Sequence, residues 1–98
     1  MTAFNPGDPV LIPCEVGAGP FPNEKLVTIS QEEKVLSGFV PSRFIEEKDG
    51  KSFIRAEVIR RESDAIWVRI PGSFFTAAHG RTFFPHTWAK KHLQHIAA

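Results

Sequence analysis

Apolar and polar residues alternate with a period of two along most of this chain, the spacing of strands that bury one face. In the first such run Val10, Ile12, Cys14 and Val16 fall on one side, and Leu11, Pro13 and Glu15 on the other. Pro13 has no amide proton to give a ladder, so this strand is expected at an edge or with one side unpaired. Gly17-Ala18-Gly19-Pro20-Phe21-Pro22-Asn23 reads as a loop. Residues 25–29 and 35–40 are expected strands, joined by a polar turn over residues 30–34.

The sharpest local signal is Asp49-Gly50, a dipeptide favoured in two-residue type I′ hairpin turns. Placing Lys48 opposite Lys51 sets Ile45 opposite Ile54 on one face. The next hairpin is constrained by parity. Ile54, Ala56 and Val58 alternate with Arg55, Glu57 and Ile59, while Ile66, Val68 and Ile70 alternate with Trp67 and Arg69. A loop from Arg61 to Ala65 puts Val58 opposite Val68 and Ala56 opposite Ile70. A slip of one residue would drive Arg55 and Glu57 into the core, at high cost. This register leaves Ile59 beside Trp67 and Glu57 beside Arg69 on the outer face.

Pro71-Gly72 breaks the strand, residues 73–80 form a Phe-containing loop, and residues 81–84 make a last strand. Thr87 is expected to N-cap a helix through Ile96, with Ala89, Leu93 and Ile96 inward and Lys90, Lys91 and Gln94 outward. Five to six short antiparallel strands with one short C-terminal helix read as a single small β-barrel domain over residues 1–98.

Gly38-Phe39-Val40-Pro41-Ser42-Arg43-Phe44-Ile45 resembles the segment near the end of SH3 domains, where a strand ends in a Pro-Ser turn, a 3₁₀ step and an aromatic. Pro41 fixes φ and keeps Val40 extended, and the Ser42 hydroxyl is suited to tying the turn to its backbone. The resemblance implies an SH3-like barrel. In that family the Pro and the aromatic help line a groove for proline-rich peptides, which places Pro41 and Phe44, with Arg43 between them, as candidate partner-binding residues. The family's acidic, Tyr-rich opening strand and its upstream Trp have no counterpart here, so barrel geometry is what the resemblance carries. Phe83-Phe84-Pro85-His86-Thr87-Trp88 echoes the segment 44 residues later and reads as strand-to-helix punctuation or, as the alternative, a second barrel corner.

Composition narrows the class further. Of 98 residues, 42% are hydrophobic and 23% charged, a balance that argues against disorder. Nine Phe and two Trp with no Tyr suggest that most rings fill the core. A single cysteine, Cys14, leaves no internal disulfide and suits a reducing compartment. Met1 to Asp8 lacks the pattern of a signal peptide, and no apolar run approaches the roughly 18 residues of a spanning helix. A cytoplasmic protein without membrane contact is expected. Charge is uneven: residues 1–50 carry four Lys/Arg against eight Asp/Glu, and residues 51–98 carry eight against three. A net −4 half thus precedes a net +5 half, which would serve an acidic partner, nucleic acid or head-to-tail self-association.

Reactive chemistry is sparse. His79, His86, His92 and His95 with Cys14 supply zinc-type donors, but only His92 and His95 are spaced to share a helix face, and no metal or cofactor is implied. Cys14 lies on an apolar strand face, where a small buried thiol is the default. Gly17-Ala18-Gly19-Pro20 lacks the third glycine and following helix of a phosphate-cradling loop. Glu32-Glu33 and Glu46-Glu47 are adjacent pairs that point apart or sit in turns, unlike an acid/base dyad. Trp67 is the leading binding candidate, flanked on the outer face by Ile59 and Arg69, unless the C-terminal helix or the 73–80 loop covers it. Arg55, Arg60, Arg61, Arg69, Arg81, Lys90 and Lys91 could track phosphates, although the pI of about 8.0 is below that typical of nucleic-acid binders. The expectation is a non-enzymatic module binding a protein or peptide partner or a second copy of itself. Nucleic-acid binding is the first alternative, and a small enzyme or a ligand- or metal-binding barrel the second.

Overall fold

A computed structural model of the chain describes residues 3–31, 34–74 and 80–96. The Glu32-Glu33 pair and most of the 73–80 loop, including His79, lie outside the described residues. The described chain is mainly β. Its elements run β1 (Pro9–Ala18), β2 (Glu24–Ser30), β3 (Val35–Pro41), a 3₁₀ turn (Ser42–Phe44), β4 (Ile45–Lys48), β5 (Lys51–Arg61), β6 (Ala65–Arg69), β7 (Ser73–Phe74), β8 (Arg81–Pro85), α1 (His86–His92) and β9 (Gln94–His95). All ladders among them are antiparallel, and the sheet follows the order β7-β3-β2-β1-β5-β6-β8, with β4 on β5 and β9 on β1. The result is a curled half-barrel, compatible with an SH3-like barrel, bearing one short C-terminal helix.

Strand β1 joins the two parts of the curl. Its first half, Pro9 to Cys14, pairs with β5, and its second half, Glu15 to Ala18, pairs with β2. On the side away from β5, Val10 and Leu11 meet β9, and the β2 ladder begins only at Glu15. Pro13 sits in the interval between them, so its missing donor leaves no gap in a two-sided ladder. The strand is central in the sheet, not an edge, and the proline marks where it changes partner.

The parity predictions hold in β4, β5 and β6. Ile45 faces Ile54, and Lys48 faces Lys51 across a turn whose Asp49 and Gly50 have φ of 54° and 77°, as a type I′ turn requires. Glu57 pairs with Arg69 and Val58 with Val68. Val58 and Val68 are fully buried, while Arg55 and Glu57 are exposed. Beyond Val58 the register departs from expectation. A bulge at Ile59 shifts the ladder, so that Arg60 faces Trp67 and Arg61 faces Ile66.

The core is aliphatic. Val10, Ile12, Val27, Ile29, Val40, Ile54, Val58, Ile66 and Val68 have no exposed surface, and Phe84 with Trp88 supplies its aromatic part. Among the Phe side chains described, the expectation that most rings fill the core holds only in part, with Phe4 and Phe44 packed against it from the outside. Phe53 and Phe84 are buried, but Phe21 is 63% and Phe83 41% exposed, and Phe4, Phe39 and Phe44 are half-buried. The inward positions of the short strands are already taken by Val and Ile, whose branched side chains suit a pleated surface and leave little room for rings.

Three local expectations are corrected at the chain's corners. The Ser42 hydroxyl, though buried, has no hydrogen-bond partner; the Ser42 backbone amide ties the turn instead, donating to the Asn23 carbonyl at 2.8 Å. Thr87 does not cap α1: the cap position is Pro85, with no side-chain cap bond, and the fixed φ of proline suits that helix start. The helix ends at His92 rather than Ile96. Gln94 and His95 pair with Leu11 and Val10, and the Ile96 amide donates to the Pro9 carbonyl at 3.2 Å. Strand addition to β1 thus outcompetes another helical turn. Trp88, Ala89 and Leu93 are the residues buried here.

Candidate functional site

Bulges bend a strand and re-aim its side chains, and the one at Ile59 builds the site. Trp67 lies between buried Ile66 and Val68 and so projects to the outer face. The extra residue places Arg60 opposite Trp67 while Ile59 stays on the same side, and the Arg60 guanidinium lies 5.2 Å from the indole centroid. Ile59, Arg60, Trp67, Arg69 and Arg81 line one groove of about 460 Å³.

Strand β8 completes this face. Thr82 and Phe84 point inward and are buried, so Arg81 and Phe83 point outward. Phe83 faces Trp67 across the ladder, its ring centroid 5.3 Å away, and Lys34 Nζ sits 4.1 Å above it. The indole is half-buried, and most of the 73–80 loop expected as one possible cover lies outside the described residues. Its Nε1–H donates to Glu62 Oε1 at 2.7 Å, and the other Glu62 oxygen pairs with Arg60 at 3.2 Å. Arg69 bonds Glu57 at 3.1 Å. Arg81 makes no ion pair among the described residues. Exposed pairs such as these contribute little to stability.

The groove unites Trp67, Arg69 and Ile59, three of the expected site residues. Arg69 also lines an adjoining depression of about 390 Å³ together with Phe44, Pro9 and Pro71, which brings a fourth expected residue alongside. Pro41 and Arg43 line neither. Pro41 ends β3 opposite Glu24, and the Arg43 guanidinium lies 4.8 Å from the Phe44 ring centroid. Phe83 escaped the sequence reading, yet Arg81-Thr82-Phe83-Phe84 carries the same period-two signal that exposed Trp67.

The other candidates separate. His86 Nε2 lies 2.6 Å from the Glu62 carbonyl oxygen, His92 tilts against Trp88 at 4.7 Å, and His95 stacks on Phe4 at 4.3 Å. His92 and His95 share no helix face, since the helix has ended between them. No cluster of three metal-ligating side chains occurs among the described residues. Burial pushes the Cys14 thiol from 9.0 up to about 11, opposite to the lowered value of a nucleophilic cysteine. Glu46 is engaged with Arg55 at 3.2 Å, and its strand neighbour Glu47 pairs across to Ser52. No helix among the described residues is long and apolar enough to cross a membrane.

The fold and this face define a small antiparallel half-barrel with a cationic, aromatic groove on its outer sheet. Comparison with protein-family models, with curated proteins and with solved structures finds no match to the chain.

Proposed function

We propose that this protein is a non-enzymatic interaction module of SH3-like architecture that binds a protein partner through the Trp67 groove. The observation that carries the reading is the half-buried indole set between Arg60 and Phe83 with a groove beside it. Trp and Arg concentrate binding energy where an apolar anchor is ringed by polar groups. The groove presents both signs of charge, with Arg60, Arg69 and Arg81 beside Glu57 and Glu62. A polypeptide can answer both signs, whereas a run of phosphates would meet the two carboxylates as well as the arginines. The lone cysteine supports a reducing, cytoplasmic setting. Trp67→Ala is expected to weaken partner capture at least ~30-fold, the effect of losing about 2 kcal/mol, with the far-UV spectrum unchanged. Capture that survives the substitution removes the groove from the reading, and light scattering of the free protein tells whether the partner is a second copy.

Single-stranded nucleic acid is the second reading. Lys34 over Phe83 and Arg60 over Trp67 are cation-backed rings of the kind on which bases stack. Anisotropy of a labelled oligonucleotide that stays flat at low salt eliminates it.

A further inference from the structure

A second concavity lies where the end of β5, helix α1 and the N-terminal segment converge, and it is independent of the Trp67 groove. It measures about 440 Å³ and is lined by Ala3, Phe4, Arg61, His86, Lys90, Leu93 and His95. Pockets of this size accept small molecules or single residues, using apolar walls and a few placed polar groups. The apolar part here is the Phe4 ring, stacked on His95 with an interplanar angle of 8°, and the buried Leu93.

The polar part is cationic. Past the bulge, Arg61 pairs with core-facing Ile66, so it turns away from the Trp67 face toward the end of the barrel. Among the described residues its guanidinium forms no ion pair and donates to a neutral oxygen, Asn5 Oδ1, at 3.5 Å. Lys90 forms no ion pair among the described residues. His86 Nε2 is engaged by the Glu62 carbonyl. Asp8 approaches the border through His95 Nε2 at 3.6 Å, and the Asn5 amide donates to that carboxylate at 2.9 Å.

We infer that this cleft binds a carboxylate carried on a short apolar body, with Arg61 and Lys90 meeting the charge and Phe4 and Leu93 meeting the body. A guanidinium presents paired donors matched to a carboxylate, and two cations with no ion pair among the described residues, over an apolar wall, select such a ligand against a neutral one. Two sources share this chemistry: a free small acid, and the C-terminal carboxylate of a peptide ending in an apolar residue.

Amide chemical shifts of the full chain are followed while titrating hexanoate, with hexanamide as the neutral control, and acetyl-Gly-Gly-Ala-Leu with a free or an amidated end. Saturable shifts at Arg61, Lys90 and Leu93 with the two carboxylates, absent with the two amides, are expected; the tighter carboxylate identifies the source. Arg61→Gln and Lys90→Gln should each weaken binding about tenfold, the effect of losing one charge-assisted contact. Lys91→Gln makes the same charge change on the adjacent exposed residue and should leave binding unaltered. Absence of shifts at 10 mM carboxylate, equal shifts with the amides, or equal losses from Lys90→Gln and Lys91→Gln would each overturn the assignment.

Discussion

Phe83 and Phe84 are chain neighbours with opposite surroundings, so truncating each measures the strand parity on which the fold depends. Phe84 has no exposed surface, faces Ile66 across the ladder and stacks on Trp88 at 4.8 Å. Phe84→Ala removes a fully buried ring and leaves a cavity, a change that costs about 3–5 kcal/mol, with loss of the stack accounting for about 0.5–1.5 kcal/mol of ring-pair attraction. Domains of this size hold about 5–15 kcal/mol in all, so the variant is expected near its stability limit. Phe83 is 41% exposed and touches Trp67 and Lys34. Its truncation should cost no more than about 1 kcal/mol. Equilibrium unfolding in guanidinium, followed by far-UV circular dichroism, reads both, with unchanged slopes confirming a common unfolded state. Should Phe84→Ala fail to fold, Phe84→Leu keeps most of the volume and is expected to lose about 1–2 kcal/mol. Equal losses at the two positions, or a larger loss at Phe83, would refute the inward assignment of Thr82 and Phe84 and with it the outward face that carries Trp67.

Gly72 has φ of 88°, and a Cβ there would overlap the Phe39 carbonyl oxygen, whereas Gly50 has φ of 77° with open space around it. Gly72→Ala should therefore lower the melting temperature well beyond Gly50→Ala, whose cost is the positive φ alone, about 1–2 kcal/mol. With the Cys14 thiol held near 11 by burial, alkylation by iodoacetamide at pH 7.5 should run roughly a hundredfold slower than in the unfolded chain. A rate matching that of the unfolded chain would contradict the burial. Because the fold favours the protonated thiol, its contribution to stability is full below pH 9 and is lost as pH rises toward 11; titrating the unfolding midpoint of the wild type against Cys14→Ala over that window isolates it.

Legibility followed the range of the interactions. The Asp49-Gly50 turn and the pairings of Glu57 with Arg69 and Val58 with Val68 are set by dipeptide preference and by the cost of turning charges inward, both present in the local sequence. The bulge is not. Ile59 has none of the glycine or polar character that signals irregular backbone, and it follows a clean run of alternation. The early end of α1 had a signal: Lys90, Lys91 and His92 form a basic last turn, a common mark of helix termination. The longer-range features left no local trace. His95 Nε2 reaches the Ala3 carbonyl at 3.1 Å and its ring stacks on Phe4, across nearly the whole chain. Within the candidate groove, Trp67, Ile59 and Arg69 were legible because parity alone places them. Arg60 was legible only as one member of a basic set, because its face is decided by the bulge.

That one extra residue also explains how two surfaces arise on a small barrel with a tightly filled interior. The inward positions of the described strands are occupied by Val and Ile down to zero exposure, and the two concavities argued above lie on the outer sheet and at the barrel's end. In an unbulged β5, Ile59 would oppose Trp67, Arg60 would take the position opposite Ile66 that Arg61 now holds, and Arg61 would return to the outer face. The Trp67 groove would then lose the cation stacked on its indole. Displacing the ladder by one position sends Arg60 outward to Trp67 and Arg61 to the rim between Asn5 and Lys90. Two consecutive residues of like charge thereby line separate concavities, and both stay exposed.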